Sequence, residues 1–557
     1  MAKNIKTIFD KINQELDLDI QVEEQYWHIA PTEVCMDSRN IYENSIFVAY
    51  KGERFDSHDY LDGIRDKGAV VCVVERKIEG LDLPQIVVSH ARQILPWLSN
   101  LVYETNEHPM NILAMAGTDG KTTCAHMTAH ILNYNKVPTA SIGTIGTTIP
   151  GRGLIPQRVT SPEAPQFHRL LREIRASGVQ TVVVEAASHA MSQKRFETVD
   201  FIGASFTNFS QDHMDYYKTI PPYAEAKKSL YDSLAEDVFV LANAANPSTY
   251  YMLQDFPGEV LFFRTAGKSY LGEWEANPNM KAWDEYVLGL RSDEEMDTWV
   301  EKEGLLEGAN IRRETKGLRF DLHYYPGTEY SRFPRDPMHH EVFLPMWGEH
   351  NVDNCLTSVG VAMGMGISLE DAVASLESFP GVPSRVQFID AGQDFTVIAD
   401  FAHTPAAVEA LLKEASLNKG DKKLWVTATA AGGRDKDKRI PMGRLYSQYA
   451  DEVLLTTDKI HNENPNQVLD EVAEGFIPGT QYKRFLLRTD AIRYGIEHMD
   501  SGDIFLLLGT AKLFLPINDK ILPWNEAEYA RSIILERLMR EETLKFAQSF
   551  EEKEEVD

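Results

Sequence analysis

Cysteine is scarce in this chain. Its four thiols, Cys35, Cys72, Cys124 and Cys355, lie far apart, and none stands in Cys-x-x-Cys spacing. Neither a zinc site nor a disulfide framework is suggested, and a reducing, cytosolic setting fits. Surplus positive charge is missing too. Against 84 Asp and Glu there are 56 Lys and Arg, a formal charge of −28. Nucleic acid is therefore not an expected partner, because binding a phosphate backbone needs surplus cations. Any anionic ligand must be held by a local site working against the overall field. No apolar run approaches bilayer-crossing length. The start, "MAKNIKTIFDKINQEL", is amphipathic without an apolar signal core. The expectation is a cytoplasmic protein with no membrane contact. Internal repeats and low-complexity tracts are also lacking, and the acidic end "SFEEKEEVD" reads as a solvated tail.

What is present is an ordinary globular composition, 43% hydrophobic and 25% charged over 557 residues. That length is a prior for roughly three to four domains. The first hundred or so residues carry short β-branched runs, "NSIFVAY", "GAVVCVVE" and "PQIVVSH", between turn and helix signals. From Asn111 the pattern alternates strands and helices through "NILAMAG", "VPTASIGTIG", "VQTVVVEAAS", "FIGASFTNF" and "EDVFVLANAA". This rhythm predicts parallel βαβ units in a doubly wound sheet. Between residues 254 and 338 it weakens into a polar, aromatic-rich stretch, read as elaborated or antiparallel edge structure. The helix in "ISLEDAVASLESFPG" closes at Pro380-Gly381, where a domain boundary is placed. Beyond it "FTVIADF", "KLWVTATAAGG", "DEVLLTTD", "KRFLLR" and "DIFLLLGT" alternate again. The fold class is α/β in three domains, 1–107, 108–381 and 382–557.

The densest chemistry begins at "AMAGTDGKTT". The commoner phosphate loop has a glycine where Met115 stands, so this loop is shorter. Gly117, Thr118, Asp119 and Gly120 can curl backbone N–H groups around a phosphate, with the next helix adding its positive end. Lys121 would bridge the terminal phosphates, and the Thr122 hydroxyl would hold Mg²⁺. A surface turn containing Gly-Lys is the plainer alternative, but an apolar strand precedes this one and a helix signal follows. Glu185 sits just past another apolar strand, where open α/β sheets place ligands and a carboxylate can meet Mg²⁺. Asn208, Asp212 and His213 crowd a third strand end. Alone, each would more often be a capping or solvated polar residue. Three such clusters on successive strand ends are harder to dismiss.

Together these segments resemble the Mur ligase family. "GTDGKTT", "EAASHAMSQKR" and "FTNFSQDHMDYYKTIPPYAEAKKSLY" carry the likeness, which runs nearly end to end. "CMDSRNIYENSIFVAYKGERFDSHDYLDGIRDKGAVVCVVE" is similar to the family's uridine-binding first domain. "LPMWGEHNVDNCLTSVGVAMGMGISLEDAVASLESFPGVPSRVQ" resembles the end of its central domain, and "VIADFAHTPAAVEALL" with "GGRDKDKRIPMGRL" its third. The MurE type, which adds the third residue of the peptidoglycan stem peptide, is the most similar.

The resemblance implies a UDP-binding domain, a central P-loop ATPase domain and a C-terminal Rossmann-like domain that closes over the site. It implies ATP and Mg²⁺, with UDP-MurNAc-dipeptide and an amino acid as small-molecule substrates, and a monomer. Gly117 through Thr123 would take the phosphates, and Glu185 and His213 would lie near Mg²⁺. Asn208, Asn351, Arg385, Asp400 and His403 match positions that hold the nucleotide. Lys227 matches a lysine carbamylated in the family, a change that turns a cation into an anionic oxygen ligand for a second Mg²⁺. Lys121, Glu185, His213 and Lys227 are the implied catalytic set. Ser38, Thr160, Ser161, Gln193 and Arg195 would hold the sugar nucleotide. Arg434, Asp458, His461 and Gly509 fall at the amino-acid site. Two family serines usually follow the strand-end Glu and its neighbour; here they are Ala187 and Ser188.

The acceptor site departs furthest. Relatives that use meso-diaminopimelate carry Asp-Asn-Pro-Arg, and this chain has Asp458-Lys459-Ile460-His461. Their Gly-Lys-Gly-His-Glu is here Gly509-Thr510-Ala511-Lys512-Leu513. Arg434 remains for one carboxylate, but the guanidinium fork for a second is lost, and Arg to His is not conservative there. L-lysine is therefore the expected acceptor, with diaminopimelate or a small neutral amino acid as alternatives. Two further readings compete. A folylpolyglutamate synthetase-like enzyme is opposed by the uridine-type first domain. A ligase-like binding protein without turnover is opposed by Lys121, Thr122, Glu185, His213 and Lys227 occurring together.

Overall fold

The structure, a computed structural model, describes residues 3–52, 55–157, 159–268, 278–290, 292–328, 331–383, 385–432, 436–458, 463–509, 514–517, 520–523 and 525–554. The α/β fold class holds, and three main sheets carry it.

The first sheet is parallel, in the order β1 (Glu33–Cys35), β2 (Ser45–Val48), β3 (Ala69–Val74), β4 (Gln85–Val87). The helix Ile5–Leu16 starts where the Asn4 side chain accepts from the Thr7 amide, and it buries Ile5, Ile8, Phe9 and Ile12. That i, i+3, i+4, i+7 spacing is one helical face. Together with Ile94, Leu95 and Leu98 of the helix Ala91–Tyr103, it covers Ile46, Val48, Val71 and Val73.

The central sheet has eleven strands. These are β5 (Asn111–Ala116), β6 (Thr139–Gly143), β7 (Gly146–Ile149), β8 (Gly153–Ile155), β9 (Thr181–Glu185), β10 (Phe201–Phe206), β11 (Phe239–Asn243), β12 (Glu259–Thr265), β13 (Gly304–Glu314), β14 (Gly317–Pro326) and β15 (Met338–Leu344). Their order is β15-β14-β13-β12-β11-β10-β5-β9-β6-β7-β8. β5 pairs in parallel with β9 on one side and β10 on the other. The chain passes from β5 to β6 on the β9 side and later crosses from β9 to β10 on the other side of β5, so the strand order reverses there and a crevice opens at the carboxyl end of β5. Both faces of these strands are covered, which is why they read as near-continuous apolar runs.

The third sheet contains β16 (Gln387–Phe388), β17 (Thr396–Asp400), β18 (Leu424–Ala428), β19 (Glu452–Thr456), β20 (Tyr482–Phe485) and β21 (Ile504–Leu508). Its order is β16-β17-β21-β18-β19-β20, parallel except for β16. A separate antiparallel pair, β22 (Phe514–Ile517) and β23 (Lys520–Pro523), follows.

Every strand read from the sequence is present. The stretch 254–338 supplies β12 to β14 and the start of β15 at one edge of the central sheet, together with the helices Pro278–Leu288 and Asp293–Glu303. β12 itself is parallel to β11. The β7–β8 hairpin at the opposite edge is additional; its short, glycine-bounded strands give little period-2 signal. By its contacts the chain gathers into two compact units. One holds Met1–Glu307, His323–His339 and Asp353–Ala372; the other holds Gly308–Leu322, His340–Val352 and Val373–Asp557. Among the described residues no helix is long and apolar enough to cross a membrane.

Candidate active site

In the first unit the phosphate-type loop joins β5 to the helix Lys121–Tyr134. Gly117 (φ +136°) and Gly120 (φ +86°) hold backbone conformations that favour glycine. Side chains there would also collide, at Gly117 with Thr207 Oγ1 and at Gly120 with Asn354 Oδ1. The first helical bond runs from the Cys124 amide to Gly120 O, and Gly120 provides no side-chain cap. The amides of Lys121, Thr122 and Thr123 therefore lie ahead of the helical ladder, where an anion is favoured.

Asn208 and Thr207, after β10, brace the loop from behind. The Thr118 amide donates to Asn208 O and the Asp119 amide to Asn208 Oδ1, both at 2.9 Å. Thr207 Oγ1 donates to Asp119 O at 2.6 Å. Asn208 thus holds the loop through both its backbone and its side chain. Asp119 is exposed, with Oδ2 3.5 Å from Ser210 Oγ. It does not cap the helix, because Gly120 occupies the cap position.

Lys121 arches over the loop, donating to Gly117 O (3.1 Å) and Thr118 O (2.6 Å). Glu185, at the end of β9, is 1% exposed. Its carboxylate accepts from Thr122 Oγ1 (2.9 Å), the Thr144 amide (2.8 Å) and Thr144 Oγ1 (3.0 Å). Burial pushes its carboxyl above the ordinary value; the Thr144 amide, the Lys121 charge and the two hydroxyls oppose the rise. Thr144 escaped the sequence reading because a lone threonine after a Gly in "SIGTIG" carries no chemical signature.

Lys227, on the helix Ile220–Asp232, is buried. Its Nζ donates to Gly117 O at 2.6 Å and lies 4.9 Å from the centre of the Tyr223 ring. Burial first, then the Lys121 charge, holds its ammonium well below the ordinary lysine value, against the pull of Asp212 and Asp119. A neutral amine at that place is the form that can take up CO₂, since an ammonium has no lone pair. Tyr223 Oη meets Thr118 Oγ1 at 3.0 Å. His213 has φ +58°, uncommon for a residue with a side chain. Its Nε2 lies 3.2 Å from Asp212 Oδ2, and its ring packs edge-on against His189 at 4.6 Å.

Ser161 Oγ donates to Glu185 O (2.6 Å) and accepts from the Ala187 amide (3.0 Å), tying its turn to the end of β9. Thr160 Oγ1 meets Thr144 Oγ1 at 3.0 Å. Arg195 Nη1 donates to Ser161 O at 2.6 Å, and Gln193 Oε1 accepts from Arg195. Ser38 lies in the turn after β1, where its carbonyl accepts from Lys67 Nζ. The structure thus gathers Lys121, Thr122, Glu185 and Lys227 at one loop, with Thr160 and Ser161 bonded around Glu185. The Thr122 hydroxyl and Glu185 carboxylate form an oxygen donor set that suits Mg²⁺.

In the second unit Asp400, at the end of β17, is buried and accepts from the Val386 and Ala402 amides, both at 2.7 Å. Burial raises its carboxyl; those amides, Arg385 and His403 oppose the rise. Asp400, Arg385 and His403 therefore share one electrostatic neighbourhood. The Gly509 amide donates to Asp400 O (3.1 Å), and a methyl on Gly509 (φ +103°) would lie 3.2 Å from Asp458 Oδ2. Asp458 and Gly509 are thus side by side. The Asn351 side chain donates to Trp347 O at 2.6 Å. Arg434 and His461, with Lys459, Ile460 and residues 510–513, lie outside the described residues.

Comparison with known proteins follows the same lines. Residues 115–362 match the Mur ligase middle domain, and residues 384–511 the Mur ligase glutamate ligase domain. A UDP-N-acetylmuramoyl-L-alanyl-D-glutamate–2,6-diaminopimelate ligase of Bacillus licheniformis is 31% identical over 507 residues, covering 91% of this chain and 95% of that protein. A Fusobacterium nucleatum protein of the same name is 28% identical over 536 residues, 96% of this chain and 99% of that one. Among solved structures, a diaminopimelate ligase of that name aligns with TM-score 0.61 at 23% identity, over 96% of this chain and 99% of its own. MurF of Thermotoga maritima in complex with ADP aligns with TM-score 0.56 at 16% identity, over 92% of this chain and 99% of its own. With the loop, the Glu185 cradle and the full-length similarity in agreement, this chain belongs to the Mur ligase family and is of the MurE type.

Proposed function

We propose that this protein joins an L-amino acid to the D-glutamyl carboxylate of UDP-MurNAc-L-Ala-D-Glu, making a precursor of peptidoglycan. The observation that carries this reading is the meeting of Lys121, Thr122, Glu185 and Lys227 at one loop. Mur ligases use ATP and Mg²⁺, and a bound Mg²⁺ would screen phosphate charge between Thr122 and Glu185. His213 is its further proposed ligand, and a carbamylated Lys227 is proposed to hold a second Mg²⁺.

The chain's own groups then act as follows. Loop amides and the Lys121 ammonium meet the charge that develops on the transferred phosphoryl group. A glutamyl carboxylate oxygen attacks the γ-phosphorus, the bond from phosphorus to the β,γ-bridging oxygen breaks, and ADP leaves. The acceptor amine attacks the acyl-phosphate carbonyl carbon. The carbon–oxygen bond to phosphate breaks, an amide forms, and the amine gives up a proton. Asn208 keeps the loop in place. Ser38, Thr160, Ser161, Gln193 and Arg195 are proposed to orient the sugar nucleotide. Asn351, Arg385, Asp400 and His403 are proposed to hold the adenine nucleotide. We place the domain divisions after residues 107 and 381.

For the acceptor we propose L-lysine, held by Arg434, Asp458 and Gly509. Loss of the Arg and Glu that serve diaminopimelate supports it; these places are His461 and Leu513 here. The names of the most similar relatives favour a second reading, diaminopimelate. Purified enzyme with the UDP-dipeptide, ATP and Mg²⁺ should be offered lysine, diaminopimelate and small neutral amino acids in parallel. A tripeptide product with lysine supports the first reading. Product with diaminopimelate alone replaces it by the second, and product with neither replaces both by a smaller acceptor. No product with any amino acid overturns the ligase reading.

A further inference from the structure

Arg92 lies 101 residues from Gln193, one of the residues proposed to hold the sugar nucleotide, yet its side chain is bonded to it. It sits in the first turn of the helix Ala91–Tyr103, beside the first sheet. A single nitrogen, Nη2, donates to Gln193 Oε1 at 2.6 Å and reaches both oxygens of Glu163 at 3.2 Å. The guanidinium carbon lies 5.2 Å from the centre of the Tyr50 ring, just past β2. Arg195 closes the circuit from the other side. Its Nη2 is 2.7 Å from Glu163 Oε1 and 2.8 Å from Gln193 Oε1, while Nη1 holds Ser161 O.

Two guanidinium groups thus share one carboxylate and one amide oxygen. Arg92 and Arg195 bring two positive charges and Glu163 one negative, so the network carries one positive charge in excess. Arg195 is 12% exposed and Arg92 33%. Surface ion pairs in isolation contribute little. A charge-assisted network that fixes an amide and an arginine at one position sets geometry more than it sets stability. With its oxygen taken by both arginines, the Gln193 amide has one orientation, in which its N–H₂ group is the end left to donate.

We propose that Arg92 is a positioning residue for the sugar nucleotide: it orients Gln193 and Arg195 and leaves the network with the single positive charge that an anionic substrate completes. The inference rests on the reading above that Gln193 and Arg195 contact that substrate. Because Arg92 belongs to the body of the first sheet and Glu163, Gln193 and Arg195 to that of the central sheet, it joins the two halves of the sugar-nucleotide site.

The test is calorimetric binding of UDP-MurNAc-dipeptide and, separately, of a non-hydrolysable ATP analogue to the full-length protein. Wild type, Arg92→Ala, Gln193→Ala and the double variant are compared, with melting temperatures. Arg92→Ala should weaken the sugar nucleotide roughly ten- to hundredfold, the range for charge-assisted hydrogen bonds. Affinity for the ATP analogue should hold within about twofold. The double variant should lose less than the product of the two single losses, because Arg92 acts through Gln193. Unchanged sugar-nucleotide affinity in Arg92→Ala, a matching loss for the ATP analogue, or independent losses in the double variant would overturn the inference. Failure of the wild type to bind the sugar nucleotide would instead overturn the functional reading on which it rests.

Discussion

Lys227 and Gly117 stand 110 residues apart in the chain and are joined by a 2.6 Å hydrogen bond from the buried Lys227 Nζ to the loop carbonyl. Lys121 Nζ reaches the same carbonyl at 3.1 Å. Two lysines converge on one oxygen, one of them fully enclosed. Such an arrangement works against stability unless chemistry requires it.

Lys227→Met keeps the bulk and removes the buried amine, and Gly117 O keeps its bond from Lys121. We expect the unmodified protein to melt about 2 °C higher. ATP-dependent phosphate release should fall by at least about a hundredfold. Added bicarbonate should raise the wild-type rate and leave the variant unmoved. A variant that is both less stable and active would contradict the role given to Lys227.

Thr144 donates twice to the Glu185 carboxylate. Thr144→Ala removes the hydroxyl bond and keeps the amide. The concentration of Mg²⁺ giving half-maximal rate should rise roughly tenfold, as for the loss of an outer hydrogen bond to a metal ligand. The dependence on amino-acid concentration should be unaltered. Titrating Mg²⁺ against rate for both proteins checks this.

Lys121→Ala removes the ammonium that meets the phosphoryl charge. We expect kcat for substrate-dependent phosphate release to fall about 10²–10³-fold. The circular dichroism spectrum should match wild type. If the release rate were unchanged, the assigned mechanism would be wrong.

His168 is fully buried, with Thr105 Oγ1 at 2.7 Å from Nδ1 and Thr198 Oγ1 at 3.2 Å from Nε2. Burial lowers its pKa from 6.5 to about 3. The folded state therefore keeps it neutral while the unfolded chain takes up a proton below pH 6.5. Its contribution to stability is present above that pH and falls by up to about 1.4 kcal/mol per unit as pH drops toward 3. Urea midpoints at pH 7.5 and pH 5 should separate less in His168→Gln than in wild type. Equal separations would show that His168 does not titrate this way.

The buried parallel strands of the three main sheets were largely legible because they write themselves as unbroken β-branched runs, as in "TVVVE" and "IFLLL", whereas the β7–β8 hairpin was not. Lys121, Thr122, Glu185 and Asn208 were legible because each falls at a strand end or loop whose chemistry is local. Thr144 and Arg92 were not. Their residue types are common, and what distinguishes them is a partner 41 or 101 residues away.

By itself the sequence determined the α/β class, the short phosphate loop and the likeness that led to the family, since these rest on periodicity and on residues adjacent in the chain. It also displayed the altered acceptor motifs at Asp458 and Gly509. Only the tertiary structure decided which groups share a site. Folding brought Lys227 under the loop at Gly117, enclosed Glu185 between Thr122 and Thr144, and set Arg92 against Gln193 and Glu163. Those pairings depend on the order of strands in the sheet and on burial that shifts a charge. Neither quantity is carried by a residue's neighbours along the chain.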